Sequence, residues 1–305
     1  MTAPTASIVV CTRNRCASLE EALADMVNQR LSERSGGYEI VVVDDASTDD
    51  TARVVARVGR QTRTVVRRVS AEGRGVARAR NVGVSAARGR WIAFFDDDQR
   101  TEPTWLAELL NTAERTGADL VGGPIEVSLP DGVAVGPVVR GIYGELPTQR
   151  QRRRGITPPP GGGNRLVHRR VFERIGLHDE AMITGEDTDL SARAEAARVD
   201  FGWAPRAVVR HLITDERLDP RTILAYGRKA GAAKAWVDFK RLGRWRIAGS
   251  AAVVLAKAGA NAMLTLLAML RRSQVDLIDC RARASVFGGY LAKTLRAMST
   301  GDPTQ

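Results

Sequence analysis

The segment Trp91-Ile92-Ala93-Phe94-Phe95-Asp96-Asp97-Asp98-Gln99 joins an apolar run to three consecutive carboxylates. The apolar part has the length and composition of a buried strand. A strand that ends in acids delivers them to the carboxyl edge of a sheet, where open α/β folds bind ligands. Hard carboxylate oxygens suit Mg²⁺ or Mn²⁺, and Mg²⁺ often completes its shell with substrate phosphates. The segment therefore predicts a nucleotide and metal site, although taken alone it also fits a solvated acidic turn before a helix.

Strands and helices alternate along the chain on both sides of this segment. The expected strands are residues 7–11, 38–43, 64–69, 91–95 and 119–123. The expected helices are residues 18–27, 51–58, 76–87, 104–116, 171–175 and 186–197. Ser18 is predicted to cap the first helix, and Gly83 is predicted to break the third. This order predicts an α/β fold with a Rossmann-like, mainly parallel mixed sheet and helices on both of its faces.

The bulk composition is that of a globular protein kept inside the cell. The 305 residues are 44% hydrophobic and 27% charged, which is enough to bury a core. Cys11, Cys16 and Cys280 form neither a paired framework nor a zinc motif, which fits a reducing compartment. The first residues lack the basic start and the apolar stretch of a secretory signal. We therefore expect a cytoplasmic protein.

Basic charge is concentrated at the C-terminal end of the chain. Residues 221–305 hold 15 of the 46 Lys and Arg residues but 4 of the 35 Asp and Glu residues, so they account for the whole net charge of +11. Residues 1–220 are electrically balanced. We therefore expect a ligand-binding α/β domain at 1–220 and a basic, helical, apolar extension at 221–305.

Within the extension, residues 247–270 form an apolar stretch between basic flanks. Its length would span a bilayer, but Lys257 lies near the middle, where a charge costs about 2.5 to 3.5 kcal/mol on insertion scales. We expect helices that lie on an anionic membrane surface, at the inner face of the membrane, with Trp236 and Trp245 near the interface. A spanning helix and a soluble helix hairpin that turns near residues 259–261 stay open as alternatives.

Polar residues also follow the first two strands. Asp45, with Asp44 before it, can accept a hydrogen bond from a ribose hydroxyl or a base N–H, as the acid of a dinucleotide fold does. Thr12 and Arg15 offer a hydroxyl and a guanidinium to an anion. Arg80, on the third helix, offers a second guanidinium, whose planar donors match phosphate oxygens in pairs. These residue types favour a phosphate-containing ligand.

Taken together, the motifs resemble the inverting family-2 glycosyltransferases with the glycosyltransferase A-type fold. The resemblance covers about residues 7–215, and it depends on the order of the motifs because each is short. The matching segments are 12–15, 43–51, 79–83, 96–98 with Pro103-x-Trp105-Leu106, 162–164, 172–180, 185–190 and Val209-x-His211. The resemblance implies a nucleoside-diphosphate sugar held above the first, second and fourth strands.

The resemblance also implies roles for the residues that bind the donor nucleotide. Thr12 and Arg15 help to hold the nucleotide, and Asp45 contacts the base. Arg80 approaches the diphosphate. These four residues, if they converge, would bind the sugar nucleotide at both its base and its phosphates.

For the acidic cluster the resemblance implies a metal. Asp98 binds Mg²⁺ or Mn²⁺, Asp97 approaches the ribose or sugar, and Asp96 lies beside them on the donor side. His211 completes the metal shell or touches the diphosphate. The metal would stabilise the leaving diphosphate. Related sequences place a small or polar residue between their acids, so the unbroken run here leaves open which two approach the metal.

The second half of the resemblance implies the acceptor side. Asp187 is the candidate base that removes a proton from the acceptor hydroxyl, with Glu186 positioning it, and Gly163 and Asn164 belong to the acceptor or sugar pocket. A carboxylate is a poor base at its usual pKa, so the site must raise that pKa or act late in the reaction. Read alone, the acids at 186–189 also fit the favoured N-terminus of a helix.

The predicted function is therefore a metal-dependent glycosyltransferase. The acceptor would be lipid-linked, a polysaccharide or a small molecule, and the irregular segment 128–163 together with the extension would meet it. Two alternatives stay open: a non-catalytic module that binds anionic lipid or nucleotide, and a nucleotidyltransferase on a similar sheet. Nucleic acid is not expected as a partner, because aromatic residues do not alternate with basic ones at a base-stacking spacing.

Overall fold

The structure, a computed structural model, describes residues 3–32, 36–146, 161–243 and 245–301. Its chain forms two compact units. The first contains the described residues of Met1–Glu126, Leu146–Ile183 and Asp189–Leu212, and the second those of Val127–Glu145, Thr184–Thr188 and Ile213–Gln305. The second unit thus takes in two short segments upstream of the C-terminal helices, whereas the sequence predicted one boundary at residue 220. Residues 147–160, in the middle of the segment expected to meet the acceptor, lie outside the described residues.

Four parallel strands form the centre of the first unit. They are β1 (Ala6–Thr12), β2 (Tyr38–Asp44), β3 (Val65–Ser70) and β4 (Trp91–Asp96). β1 lies between β2 and β4, with Thr12 opposite Asp44 and Cys11 opposite Asp96. Because parallel neighbours end at the same edge, the polar residues that follow these strands are brought to one edge of the sheet.

Three shorter strands extend the sheet beyond β4. They are β6 (Leu120–Gly122), β8 (Asn164–His168) and β9 (Phe201–Trp203), and the strand order is β3-β2-β1-β4-β8-β6-β9. β8 runs antiparallel to β4 and to β6, whereas β6 and β9 are parallel. The predicted mainly parallel mixed sheet is confirmed.

Helices cover both faces of this sheet, because successive strand residues point to opposite sides. In β1, Ile8 and Val10 belong to one buried core and Val9 belongs to the other. The first core is covered by α1 (Cys16–Val27), α2 (Thr51–Gln61) and α4 (Trp105–Thr116), and the second by α3 (Val76–Ala86), α6 (Arg169–Ile175) and α7 (Glu186–Ala196). The alternating strands and helices of the sequence therefore fold into three layers, with the sheet between two layers of helices.

Two local predictions about helix boundaries are wrong. α1 begins at Cys16, and the Ser18 hydroxyl donates to the Asp97 carbonyl (2.8 Å) instead of capping the helix. α3 continues through Gly83 without a break. A Cβ at Gly83 would lie 2.4 Å from Val9 Cγ1, so glycine allows α3 to lie close against the sheet.

A small second sheet contributes one side chain to the edge described above. It contains β5 (Gln99–Thr101), β10 (Val209–Leu212) and β7 (Ile125–Ser128), in that order. β5 and β10 are antiparallel, and Gln99 pairs with His211. Because β5 directly follows the acidic cluster, this pairing brings His211 beside Asp98.

The second unit is helical, as the sequence predicted for the C-terminal extension. Its helices are α5 (Pro137–Ile142), α8 (Asp215–Leu218), α9 (Pro220–Leu242), α10 (Arg246–Leu270) and α11 (Gln274–Thr300). α9 and α11 pack closely: a Cβ at Gly231 would lie 1.9 Å from the Val286 carbonyl oxygen, and one at Gly289 would lie 2.1 Å from that of Arg228. The soluble hairpin considered for residues 247–270 is wrong, because α10 is continuous from Arg246 to Leu270.

Candidate active site

The carboxyl edge of the large sheet gathers the predicted donor-site residues of the first unit. β1 ends at Thr12, β2 at Asp44 and β4 at Asp96, and the register of the three strands aligns these ends. The acids that follow β2 and β4 are buried or half-buried, whereas Arg15, which follows β1, is exposed. Polar groups gathered at such an edge form the usual ligand site of an open α/β sheet.

Asp97 is the centre of a hydrogen-bond network at this edge. One carboxylate oxygen accepts from the Thr12 hydroxyl (2.7 Å) and the other from Arg15 Nη1 (2.9 Å). Burial is the main reason that the pKa of Asp97 is raised to about 6; the charge of Arg15 opposes the rise and the charge of Asp98 adds to it. Asp97 is only 3% exposed, so its carboxylate serves to hold the side chains of Thr12 and Arg15 in place. The contact with ribose or sugar that the resemblance predicts for Asp97 is disfavoured, because only 4% of its side chain is exposed.

Arg15 connects Asp97 to the next acid of the cluster. Its Nη1 atom lies 2.9 Å from Asp97 Oδ1 and 3.1 Å from Asp98 Oδ2. The Arg15 side chain is 43% exposed, so part of the guanidinium faces solvent. A cation that is oriented by two carboxylates and still reaches solvent is suited to an anionic ligand.

Asp98 and His211 form a carboxylate and imidazole pair. Asp98 Oδ1 lies 3.5 Å from His211 Nε2, and each side chain is 15% exposed. The carboxylate oxygen is a ligand that suits Mg²⁺ and Mn²⁺, and the imidazole nitrogen is a common ligand of transition metals. Among the residues that the structure describes, no group of three or more His, Cys, Asp or Glu side chains could hold a metal by itself. Mg²⁺ sites of one or two carboxylates completed by substrate phosphates need no third side chain, so the pair fits a metal that binds together with a diphosphate.

Asp45 presents a buried acceptor atom. Its Oδ2 accepts from the backbone N–H of Gly75 (3.1 Å), whereas its Oδ1 is buried and has no hydrogen-bond partner among the described residues. Leaving a buried acceptor unpaired costs free energy, which a ligand N–H would recover. Asp44 differs, because its carboxylate already accepts from the backbone N–H of Ser47 and from Arg68, both at 2.8 Å.

Arg80, Asp96 and Gly163 are brought together on the other side of the acidic cluster. Arg80 Nη2 lies 3.3 Å from Asp96 Oδ1; the Arg80 side chain is 8% exposed and that of Asp96 is 38% exposed. A Cβ at Gly163 would lie 2.1 Å from Asp96 Oδ2, so a larger residue at this position would displace the carboxylate. The geometry therefore makes Arg80 a group that orients Asp96, and Asp96 the more accessible of the two.

The placement of Asn164 in an acceptor or sugar pocket needs correction. The side chain is fully buried, and its amide nitrogen donates to the carbonyls of Pro124 (2.8 Å) and Ala207 (2.7 Å). Its amide oxygen accepts from Trp105 Nε1 at 2.8 Å. Both amide hydrogens are used within the protein, so Asn164 fixes the loops around β8 and is not placed to bind a substrate.

Glu186 and Asp187 are the first two residues of α7. Glu186 is 4% exposed, whereas Asp187 is half-buried and its Oδ1 accepts from the backbone N–H of Thr188 (2.7 Å). Both residues belong to the second unit, while α7 from Asp189 onward belongs to the first. The assignment of Asp187 as the base stays a prediction.

Two polar residues that the sequence did not mark as functional support the cluster. The Gln99 side chain is buried, and its Oε1 accepts from the backbone N–H of Asp96 (3.3 Å). The Ser18 hydroxyl donates to the Asp97 carbonyl. Gln99 could have been recognised from its position directly after the acids, but Ser18 could not, because its spacing is also that of a helix cap. His178 packs against Phe94, with ring centroids 5.5 Å apart.

Comparison with a solved structure agrees with the fold. The mannosyltransferase PcManGT from Pyrobaculum calidifontis, solved in complex with GDP-Man and Mn²⁺, superposes with a TM-score of 0.66 over 97% of this chain and 88% of its own, at 19% identity. The fold is therefore the glycosyltransferase A-type fold. The model of glycosyl transferase family 2 matches residues 7–176, which is more than half of the chain. The chain belongs to this family.

Curated relatives agree with the family assignment. The glycosyltransferase AglE of Haloferax volcanii is 25% identical over 210 residues, which are 69% of this chain and 67% of AglE. The succinoglycan biosynthesis protein ExoO of Rhizobium meliloti is 29% identical over 208 residues, which are 63% of this chain and 56% of ExoO. The chain therefore spans between about half and two thirds of the length of these relatives.

Proposed function

We propose that the protein transfers a sugar from a nucleoside-diphosphate sugar to an acceptor hydroxyl, with inversion of the anomeric carbon and with Mg²⁺ or Mn²⁺ bound. The observation that carries this proposal is the pair of Asp98 and His211 beside the half-exposed Arg15. This arrangement offers metal ligands and a cation at the same edge, which is the combination that a metal-bound diphosphate requires. The complex of PcManGT with GDP-Man and Mn²⁺ supports the same kind of donor.

The nucleotide end of the donor would lie over β1 and β2. Asp45 would accept a base N–H with its unpaired Oδ1, and Thr12 and Arg15 would approach the nucleotide from β1. Asp97 would keep Arg15 in place without touching the donor, because both of its oxygens are already engaged. Asp96, oriented by Arg80, would reach the ribose or sugar in its stead.

The chemical step requires a leaving group and a base. When bound, the divalent ion would supply positive charge that stabilises the departing nucleoside diphosphate. Asp187 would accept the proton of the acceptor hydroxyl as its oxygen forms a bond to the anomeric carbon and the bond to the diphosphate breaks on the opposite side. One displacement of this kind inverts the anomeric configuration. Glu186, which is buried next to Asp187 in sequence, would hold the base in position.

The acceptor and the place of action are proposed from the second unit and the relatives. A succinoglycan biosynthesis protein among the relatives supports a polysaccharide or lipid-linked acceptor, and a small molecule remains the third class. The basic C-terminal helices support a cytoplasmic protein held on the inner, anionic membrane surface. Binding to this membrane would bring the enzyme close to a lipid-linked acceptor.

A panel of sugar nucleotides, each with Mg²⁺ or Mn²⁺, tests the proposal directly. The expected result is release of nucleoside diphosphate with one donor, dependent on the metal and lost on chelation. Asp98→Ala should weaken metal-dependent donor binding at least about 10-fold, while Asp200→Ala, which removes an exposed acid of the same unit, should not.

Other outcomes would identify the alternatives. Release of pyrophosphate would indicate a nucleotidyltransferase. Binding of nucleotide without turnover, across donors and candidate acceptors, would indicate a non-catalytic module. Retention of the anomeric configuration in the product, determined by NMR, would contradict a single displacement.

A further inference from the structure

α10 contacts the rest of the second unit along one line of residues. Ile247, Asn261 and Ala268 are buried, and Val254 is half-buried. These four positions are seven residues apart, so they lie on one stripe of the helix. Among the described residues nothing buries the opposite side: only 11% of the residues in the most apolar stretch of α10 are buried.

The exposed side of α10 is more apolar than its buried stripe. Met263, Leu266 and Leu270 lie opposite Asn261 and are 62%, 52% and 72% exposed. The buried Asn261 is polar and donates to the Cys280 carbonyl of α11 at 2.9 Å. A surface helix of a soluble protein turns its apolar face inward, and α10 does the opposite. A continuous exposed apolar face of this kind marks an interaction surface.

The charges around α10 indicate which partner covers this face. Arg246 begins the helix, Arg271 and Arg272 follow it, and all three are exposed. No acid occurs between residues 239 and 275, so both ends of the apolar face are purely basic. Anionic lipid headgroups complement these ends, while acyl chains complement the face between them.

The neighbouring helix decides between a helix that spans the membrane and one that lies on it. Asn261 contacts both Cys280 and Arg283, so α11 runs back along α10 after the short connection between them. α11 bears Arg281, Arg283, Lys293 and Arg296 along its length. If α10 crossed a bilayer, these charges would enter the hydrocarbon with it, at a high cost in free energy.

An in-plane orientation avoids this cost. Lys257, in the middle of α10, is exposed and could extend its ammonium to the headgroups from a helix at that depth. The charges of α11 would stay on the aqueous side. We infer that α10 lies in the plane of an anionic membrane, with Met263, Leu266 and Leu270 among the acyl chains and Arg246, Arg271 and Arg272 among the headgroup phosphates. The inference deepens the membrane association proposed above, but its evidence lies entirely in the second unit.

Sedimentation of the full-length protein with vesicles of phosphatidylglycerol and phosphatidylcholine tests this inference. We expect binding that weakens several-fold between low and high salt, because exposed charges are screened. Met263→Glu with Leu266→Glu should lower the partition coefficient at least about 10-fold, since both side chains leave the hydrocarbon. The matched control, Val65→Glu with Leu177→Glu, changes two exposed apolar residues of the first unit and should bind like the wild type. Circular dichroism would verify that all variants are folded.

Three results would overturn the inference. Equal binding of the double α10 variant and the control would show that this face does not meet lipid. Protein that stays with the membrane through an alkaline carbonate wash would indicate a spanning helix. A stable dimer in solution that fails to bind vesicles, and that becomes a monomer in the double α10 variant, would show that a second copy covers the face.

The inference and the proposed function can fail separately. Release of nucleoside diphosphate with a soluble acceptor can be measured without vesicles, and vesicle binding can be measured without donor. A protein that transfers sugar but does not bind vesicles would contradict only the lipid-facing role of α10. A protein that binds vesicles but does not transfer sugar would contradict only the proposed function.

Discussion

At the scale of single residues, the hydrogen bonds that each carboxylate makes within the protein decide which ligands it can still bind. Asp97 is buried, and Thr12 and Arg15 engage both of its oxygens. Asp45 is equally buried, but its Oδ1 has no partner among the described residues. Asp98 shares the edge with a histidine. Three acids that look alike in the sequence thus differ in the structure: Asp97 holds Arg15, while Asp45 is proposed as the acceptor for a base and Asp98 as a metal ligand.

The proposed base gives the first prediction. Asp187→Asn removes the proton acceptor but keeps the size of the side chain, so turnover should fall about 100- to 10,000-fold while the dissociation constant of the donor stays the same. Initial rates of nucleoside diphosphate release and calorimetric titration of donor would measure the two effects. Glu195→Gln, an exposed charge change on the same helix, is the matched control. A variant at Asp187 with the wild-type rate would show that another group takes the proton.

The buried His178 gives a prediction about pH. Burial holds the pKa of His178 well below its usual 6.5, and the charges of Arg80, Arg165 and Arg193 lower it further. In the unfolded chain the imidazole takes up a proton below pH 6.5, and in the folded protein it does not. Stability is therefore retained above that pH and lost as the pH falls below it, with this residue contributing about 1.4 kcal/mol per pH unit.

His178→Gln removes this titration. We expect the free energy of unfolding, measured by urea denaturation between pH 5 and pH 8, to fall less steeply with acid in the variant. His168→Gln is the comparison, because burial lowers the pKa of the half-buried His168 by less. The same acid dependence in His178→Gln and the wild type would mean that other groups control it.

At the scale of elements, glycine sets the distance between α3 and the sheet. In Gly83→Ala the new methyl group would meet Val9 Cγ1 at 2.4 Å and Val43 Cγ2 at 3.1 Å. Alanine favours a helix by about 1 kcal/mol over glycine, but overpacking costs about 1 to 3 kcal/mol. We expect net destabilisation in chemical denaturation.

Gly59→Ala on α2 is the matched control for this prediction. Its new methyl group would find Val66 Cβ at 3.7 Å, an ordinary contact, so helix propensity should decide and the variant should be as stable as the wild type or more so. If both variants gained stability, the close approach of α3 to β1 would not exist in solution.

Elements also show which sequence signals were sufficient. The strand ends at Thr12, Asp44 and Asp96 were predicted to within a residue, because alternating apolar runs stop where polar residues begin. The start of α1 was not, because Ser18 fits a helix cap by local pattern while its hydroxyl is bonded to Asp97, 79 residues away in sequence. Local patterns predict elements, but they do not show which distant group a side chain will meet.

At the scale of the whole molecule, the second unit depends on a contact between segments far apart in sequence. Asp279 of α11 accepts from the backbone N–H groups of Val138 (2.8 Å) and Val139 (2.9 Å), the first turn of α5. Asp279→Ala would leave the buried N–H of Val139 and the half-buried N–H of Val138 unpaired, so we expect a loss of about 1 to 3 kcal/mol in the free energy of unfolding of this unit. Hydrogen exchange at Val138 and Val139 would localise the effect.

Two further variants check that explanation. Asp276→Ala removes an exposed acid from the same helix and should change stability by less than about 0.5 kcal/mol. Asp279→Asn keeps an acceptor oxygen and should recover part of the loss. Equal destabilisation by the alanine substitutions at 276 and 279 would contradict a specific role for the bond to α5.

The sequence by itself determined the order of strands and helices, the sheet edge at which the acids gather, and the basic character of the C-terminal helices. These features follow from short-range periodicity and from the rule that parallel strands end at one edge. Only the tertiary structure decided which side chains the protein uses for itself. The Asn164 side chain is hydrogen-bonded to Trp105, Pro124 and Ala207, which lie 40 to 59 residues away in sequence. It also showed that α10 turns its apolar side outward, because the choice of which face is covered depends on the neighbouring helix and not on the composition of α10 itself.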